Sequence, residues 1–470
     1  MSKVLVLSSE PVGDRMAGPA IRAFELARAL AGAGHAATLA APAPSAVPAG
    51  VVGQSPTPTG VTLLDAGFAD FDRLLAAARD HDVLVAQELP AQLLRHVRRL
   101  PIHLVADLYN PRPMEVLEAV RDRSPAAQRR AQALARLTTL AMCAAADFIV
   151  CASEKQRDLW LGGLALHGLI ALDRYRADPS LRTLIDVVPF GLPATEPQPG
   201  GAPVLKGAWP GIGRDDRVLL WGGGIWNWLD AITCIDAVGL LRDLEPPVHL
   251  VFQGIARPGL EPVDAISGTP RALAHAEASG LLGQRVHVNH DWVPYLERAA
   301  WLLEADLGVS AHHDHLEARF SFRTRVLDYL WAGRPVVGTR GDALADLVER
   351  EGLGRTVLPE DPQAFADACR ALLDDAGEWE AAAARIAALR PSLTWAEAVH
   401  PLAGFCAAPR RREPRRARIA ALTAAQYPPM IPETIERHGP VELARKAGRL
   451  ASRAVRGQRG SPPLPPRSAP

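Results

Sequence analysis

Residues 1–40 read MSKVLVLSSEPVGDRMAGPAIRAFELARALAGAGHAATLA. Lys3-Val4-Leu5-Val6-Leu7-Ser8 is a short, nearly unbroken apolar run, the pattern of a strand buried on both faces. A loop with Gly13 and Gly18-Pro19 follows. Ile21, Phe24, Leu26 and Leu30, with alanines between them, then mark the stripe of a helix. Gly32 and Gly34 end that helix, and Ala37-Thr38-Leu39-Ala40 is the next strand. A strand–helix–strand unit is the building block of a parallel α/β sheet.

The pattern repeats downstream. Asp82–Ala86, His103–Asp107 and Asp147–Cys151 are further apolar strands, and Ser153 is placed to cap a helix running through Leu161. Val187-Val188-Pro189 closes this series. The stretch 191–206, GLPATEPQPGGAPVLK, is rich in Gly and Pro and reads as a linker. A second series has strands at 217–221, 248–253, 286–289, 305–309 and 335–338. The expected layout is a domain over 1–195, a second over 196–393, a helix at 394–408 and a basic, Arg- and Pro-rich tail from 409 to 470. Ligands of open α/β sheets bind beyond the carboxyl ends of the strands, so the expected site is the cleft between the domains.

Composition narrows the function. The 470 residues exceed one compact core at roughly 150 residues per domain. The 52 basic and 52 acidic residues cancel, which argues against nucleic acid as a partner. The five cysteines are scattered and form no metal-type pair, as in a reduced, cytoplasmic protein. The N-terminus shows no signal-peptide pattern, and no run approaches the ~18 apolar residues that a membrane span needs. The arginines of the tail are candidates for peripheral contact with anionic lipid at the inner face of a membrane, the alternative being a solvated tail.

The stretch 316–337, LEARFSFRTRVLDYLWAGRPVV, carries most of the chemistry. It reads as a polar loop, a helix opening on Arg323-Thr324-Arg325, Gly333 as its end, and a buried strand from Pro335. Two arginines in a first turn oppose the helix dipole unless an anion is bound, so the pattern points to phosphate, the alternative being solvated residues of the helix surface. Gly222-Gly223-Gly224 follows a strand and has the makings of a phosphate cradle, the alternative being a plain tight turn. Trp226 and Trp228 flank Asn227 as an apolar wall or as core packing. Asp107 and Asn110 close a first-domain strand, where they either touch a ligand or shape a turn. His312, His313, Asp314 and His315 are adjacent on one loop, a poor arrangement for one metal ion and a better one for a polar loop lining the cleft.

Taken in order, these features resemble the retaining, family 4 glycosyltransferases of the GT-B fold, over residues 1 to about 408. Gly18-Pro19-Ala20-Ile21-Arg22 stands where that family has its first Gly-rich loop, and Val187–Leu192 where it has its "V-I-P-N-G-V" turn. The donor motif, Glu-x7-Glu before A-M-A-x-G-x-P-V, falls on 320–337. The resemblance implies two Rossmann-like domains across a cleft. It implies hexose transfer from a nucleotide-diphospho-sugar, with retention, to a glycan, lipid-linked or small-molecule acceptor, with no metal or other cofactor. It places the acceptor on the first domain near Gly18 and the Asp107 loop. Gly18, Gly223, Gly224, Trp226, Asn227, Phe322, Thr324 and Asp328 become donor-binding candidates, with Asp328 at the second Glu position, taking the ribose hydroxyls. The chain departs from the motif at Phe320, where the first Glu belongs, with Glu317 nearby as a substitute. The family's Arg and Lys after the first strand of the second domain are also absent; Gly224–Asp230 stands there. The diphosphate then falls to Arg323 and Arg325, which with Asp107 are the catalytic candidates. A nucleotide-sugar epimerase of the same fold and a non-catalytic nucleotide-sugar-binding protein remain as alternatives.

Overall fold

The computed structural model describes residues 1–42, 60–255, 268–412 and 416–429. Its first sheet contains β1 (Lys3–Leu7), β2 (Ala36–Ala41), β3 (Val61–Asp65), β4 (Val83–Ala86), β5 (His103–Asp107), β6 (Phe148–Cys151) and β7 (Ile185–Val187). The order is β3-β2-β1-β4-β5-β6-β7, all parallel. β4 and β6 are buried throughout because helices cover both faces, which is why they read as unbroken apolar runs. The second sheet holds β8 (Arg217–Trp221), β9 (Val248–Phe252), β10 (Val286–Val288), β11 (Leu307–Ser310), β12 (Val336–Thr339) and β13 (Gly354–Val357). Its order is β10-β9-β8-β11-β12-β13, again all parallel.

Two strands were not expected from the sequence. β3 and β13 are edge strands, and their residues are half-buried or exposed. An edge strand does not need the continuous apolar run that marks a central one.

The 191–206 linker is fixed to the second domain. The Glu304 carboxylate accepts the backbone N–H groups of Val204, Leu205 and Lys206, each at 2.8 Å. Trp331 donates its indole N–H to Thr195 O at 2.8 Å.

The end of the chain corrects the expected layout. The chain crosses between the domains at Leu192 and returns beside it at 393–395: Leu192 N–H donates to Leu393 O at 2.7 Å, and Leu192 O accepts from Trp395 N–H at 3.1 Å. A Cβ on Gly191 would lie 2.4 Å from Trp395 N, so the crossings touch only because residue 191 is glycine. The helix His400–Ala407 then lies on the first domain. Ser2 Oγ donates to Cys406 O at 2.6 Å, and Phe405 stacks on Phe148 with centroids 4.8 Å apart.

The start of the basic tail is likewise built into that domain. Arg411 donates to Ile102 O at 2.6 Å, and Arg412 donates to Cys143 O at 2.9 Å and Leu169 O at 2.8 Å. The helix Arg416–Ala424 packs Ile419 into the first-domain core. These arginines satisfy buried carbonyls that no strand or helix pairs. The basic helix expected at 441–450 and the terminal Pro-rich run lie outside the described residues.

All five cysteines are buried and free, and burial pushes the Cys143 and Cys151 thiols up to about 12. Among the described residues no helix is long and apolar enough to cross a membrane.

Candidate active site

A cleft of about 300 Å³ opens between the carboxyl ends of the two sheets. On the second-domain side β8 ends in Gly222-Gly223-Gly224, and all three glycines line the cleft. Gly223 has φ 74°, a conformation that L side chains rarely adopt. The loop is held from below. Gly222 N–H donates to the Tyr329 hydroxyl at 2.8 Å, and that hydroxyl donates to Val309 O at 2.9 Å. The Tyr329 ring lies flat against β11 because residue 308 is glycine; a Cβ there would sit 2.1 Å from the ring. Burial pushes the Tyr329 phenol up, so it stays a neutral hydrogen-bonding strut.

Arg325 stands beside this loop. Its Nη2 donates to Gly224 O at 3.1 Å, and its guanidinium lies 4.4 Å from the Trp221 ring centroid. Its Nη1 is buried with no hydrogen-bond partner, and no described carboxylate pairs with it. Burial pushes this guanidinium down to about 10, which still leaves it charged at neutral pH.

Arg323 behaves differently. It pairs with Glu317 through Nη2–Oε2 at 2.6 Å and Nη1–Oε1 at 3.2 Å. Burial alone raises the Glu317 carboxyl; Arg323, with the Ser321 hydroxyl, more than offsets this and holds it below its ordinary value. Glu317, Ser321, Phe322, Arg323, Thr324 and Asp328 all line the cleft.

The local structure here departs from the sequence reading. The expected polar loop contains a short helix, Leu316–Phe320, and the next helix is Arg325–Trp331, with Thr324 at its N-cap position. Arg323 therefore precedes the helix instead of sharing its first turn. Phe320 is not among the cleft-lining residues; the Gln156 side chain from the first domain donates to its carbonyl at 2.8 Å. The carboxylate that the short helix Leu316–Phe320 brings to the cleft is Glu317.

The remaining candidates separate clearly. Gly18 and Trp226 line the cleft, and Trp226 stacks on Trp228 with centroids 5.9 Å apart. Asn227 does not line it; its Nδ2 donates to Glu118 O at 3.1 Å and ties the two domains together. Asp328 lines the cleft and accepts from Arg298 Nε at 3.2 Å. Asp107 is buried beneath the first-domain side. Both its oxygens are taken by Arg22, at 2.6 and 2.7 Å, and Arg22 also donates to Val188 O at 2.9 Å.

The His312–His315 loop does not line the cleft. His312 is buried near Asp342, and His315 accepts the Ala318 N–H at 3.2 Å to cap the short helix. No group of three His, Cys, Asp or Glu converges as a metal site among the described residues.

Several cleft residues were not singled out in the sequence. Tyr109 and Phe190 form the first-domain wall, 5.2 Å apart, with the Arg22 guanidinium 4.9 Å from the Tyr109 ring and 5.0 Å from the Phe190 ring. An arginine inside an otherwise apolar helical stripe was the available signal for Arg22. Trp292 lines the cleft and donates its indole N–H to Met16 O at 3.1 Å. Tyr295 donates to Glu25 at 2.8 Å, a further bond between the domains.

Two parallel-sheet domains with a cleft between their carboxyl ends define the GT-B class. Residues 216–375 match the family model described as glycosyl transferases group 1. Residues 216–375 thus form a glycosyl transferases group 1 domain, on the Arg325 side of the cleft. No curated protein matches the sequence. Among solved structures, Anabaena HepE in complex with UDP and glucose gives a TM-score of 0.61 at 15% identity, over 87% of this chain and 100% of that one. Sucrose-phosphate synthase from Thermosynechococcus elongatus gives 0.57 at 16%, over 86% and 98%. WaaG, a glycosyltransferase involved in lipopolysaccharide biosynthesis, gives 0.57 at 15%, over 86% and 99%. At these identities the likeness is one of fold.

Proposed function

We propose that the chain transfers a hexose from a nucleotide-diphospho-sugar to an acceptor held on the first domain, with retention of anomeric configuration. The observation that carries this reading is Arg325, a half-buried cation lining the cleft whose enclosed Nη1 has no hydrogen-bond partner. A buried charge without a counter-ion is costly, and a diphosphate against Arg325 and the Gly222–Gly224 backbone relieves that cost. HepE, of like fold, binds UDP, which supports a nucleoside diphosphate as the occupant.

As the bond from the anomeric carbon to the diphosphate breaks, negative charge grows on the leaving oxygen. Arg325 is fixed in place before that charge develops, and such preorganised stabilisation is a major source of rate enhancement. An acceptor hydroxyl oxygen bonds to the same carbon, and its proton passes to the departing diphosphate. Asp328 is assigned to the nucleotide ribose. Glu317, oriented by Arg323 and Ser321, is assigned to the sugar hydroxyls in place of the carboxylate that Phe320 lacks. Thr324 and Phe322 complete the donor wall.

Calorimetric titration with UDP and UDP-glucose tests the reading. Saturable binding to the native chain is expected, with a loss of about 100-fold in Arg325→Ala. Undiminished binding by that variant removes the diphosphate assignment.

A further inference from the structure

Gln156 is wholly buried, and its side chain joins the two domains. The sequence sets it third in the helix Glu154–Leu166, whose N-cap is Ser153. Ser-x-x-Gln is the pattern of a capping box, in which the glutamine side chain turns back toward the start of the helix. Here it reaches one residue further. Gln156 Oε1 accepts the Ala152 N–H at 2.8 Å, and the Ser153 hydroxyl accepts the Gln156 N–H at 3.2 Å. The Ala152 bond fixes which way the amide faces, because a flipped group would set one N–H against another. Both hydrogens on Nε2 then point away from their own helix. One goes to Tyr109 O at 2.7 Å, on the first-domain wall of the cleft. The other crosses to Phe320 O at 2.8 Å, in the second domain.

Phe320 ends the five-residue helix that carries Glu317. A helix that short has no stability of its own and takes its position from what it packs on. This one packs on Arg112–Ala119 and Glu154–Leu166, both helices of the first domain. Its start is held from the second domain. His315 Nδ1 accepts the Ala318 N–H at 3.2 Å, so the ring proton sits on Nε2, which donates to Trp228 O at 3.0 Å. Its end is held by Gln156. The segment around Glu317 thus belongs to the second domain by sequence and is seated on the first. Lys155, the preceding residue, also crosses between the domains, to Gly341 O at 3.1 Å and to Asp346 at 2.6 Å. The side chains of that ion pair are 40% and 47% exposed, and such pairs contribute little.

We infer that Gln156 is a positioning residue for the sugar end of the donor. It seats the helix that carries Glu317, so this part of the donor pocket is complete only while the two domains are together. Arg325 and the Gly222–Gly224 loop, which are proposed to hold the diphosphate, are built within the second domain and do not touch Gln156. Gln156 therefore acts on the sugar and not on the nucleoside diphosphate. The inference rests on the assignment of Glu317 to the sugar hydroxyls, but the seating of the helix does not.

Calorimetry with UDP and UDP-glucose on the full chain tests it. In Gln156→Met, UDP is expected to bind at least as tightly as to the native chain, and UDP-glucose about tenfold more weakly. The same substitution in a Glu317→Ala background is expected to add nothing, because Gln156 acts through Glu317. Lys155→Ala is expected to leave both affinities unchanged. Gln156→Glu keeps the acceptor for Ala152, removes the amide donors and is expected to behave like Gln156→Met. Hydrogen exchange reads the seat without any ligand: the amides of residues 316–322 should exchange about tenfold faster in either Gln156 variant. Equal losses of UDP and UDP-glucose affinity overturn the inference, as does UDP-glucose affinity undiminished in the variants. An additive loss in the Glu317→Ala background, or unchanged exchange at 316–322, overturns it as well. Failure of the native chain to bind UDP defeats the donor reading instead, and hydrogen exchange still decides whether Gln156 seats the helix.

Discussion

Each domain sets an arginine beside the cleft, one buried and one half-buried, and the two are opposites. Arg22, in the first domain, is wholly enclosed and holds Asp107 through two short bonds. Arg325, in the second, has Gly224 O and the Trp221 ring but no carboxylate among the described residues. A buried arginine with its carboxylate is part of the scaffold. An arginine with an enclosed, unpartnered nitrogen and no carboxylate is an unfinished pair, and its counter-ion has to come from outside. Arg323, paired with Glu317 yet lining the cleft, stands between these cases.

The contrast can be broken most forcefully at Arg22. Arg22→Ala leaves Asp107 buried and unpaired and is expected to cost about 3–5 kcal/mol of unfolding free energy in a urea melt. Arg325→Ala is expected to do the reverse. Its melting temperature should stay level or rise, because a half-buried charge with no carboxylate partner is removed, while the ~100-fold loss of UDP affinity remains. A destabilised Arg325→Ala would show that the two arginines are both scaffold.

A smaller effect tests the support of the glycine loop. Tyr329→Phe removes the hydroxyl that receives Gly222 N–H and leaves that donor unsatisfied. A loss of about 1–3 kcal/mol in stability and a several-fold rise in donor KM are expected.

Glu317→Gln sharpens the intermediate case. It withdraws the negative charge that now engages Arg323, and UDP binding is expected to tighten by about threefold in calorimetry. Weaker UDP binding in that variant would mean that Glu317 orients Arg323 toward the diphosphate.

The smallest expected effect lies away from the cleft. His249 and His287 face each other at 3.0 Å, and Asp216 accepts from His249 at 3.0 Å. Burial, then the neighbouring His249, pulls His287 from 6.5 down to about 4. The unfolded chain therefore binds more protons between these values, so stability is intact above about pH 6.5 and falls as pH drops toward 4. Urea melts at stepped pH should show that fall, with a shallower slope in His287→Phe.

The architecture was largely legible in the sequence because central parallel strands are apolar runs and their helices carry regular stripes. β3 and β13 were not, since an edge strand shares its surface with water. Of the residues that line the cleft, Gly222–Gly224 and Arg325 stood out by residue type and order, and Asp328 through the family motif. The difference between Arg323 and Arg325 was not. It depends on Glu317 folding back over one turn of helix, a three-dimensional event between residues of ordinary spacing. Tyr109, Phe190 and Arg22 come together from three separate elements, and no local pattern announces such a meeting.

The doubled crossing at Leu192 and Trp395 has a consequence for how the chain assembles. The first domain is not a continuous stretch of sequence, because its last pieces, Phe405, Arg412 and Ile419, are made after the whole second domain. Synthesis from the N-terminus therefore leaves the first-domain surface around Phe148 and Cys143 uncovered until residue 419 has emerged. A fragment stopping at the linker would carry that apolar surface permanently bare, and supplying residues 394–429 as a separate peptide is the natural way to cover it again.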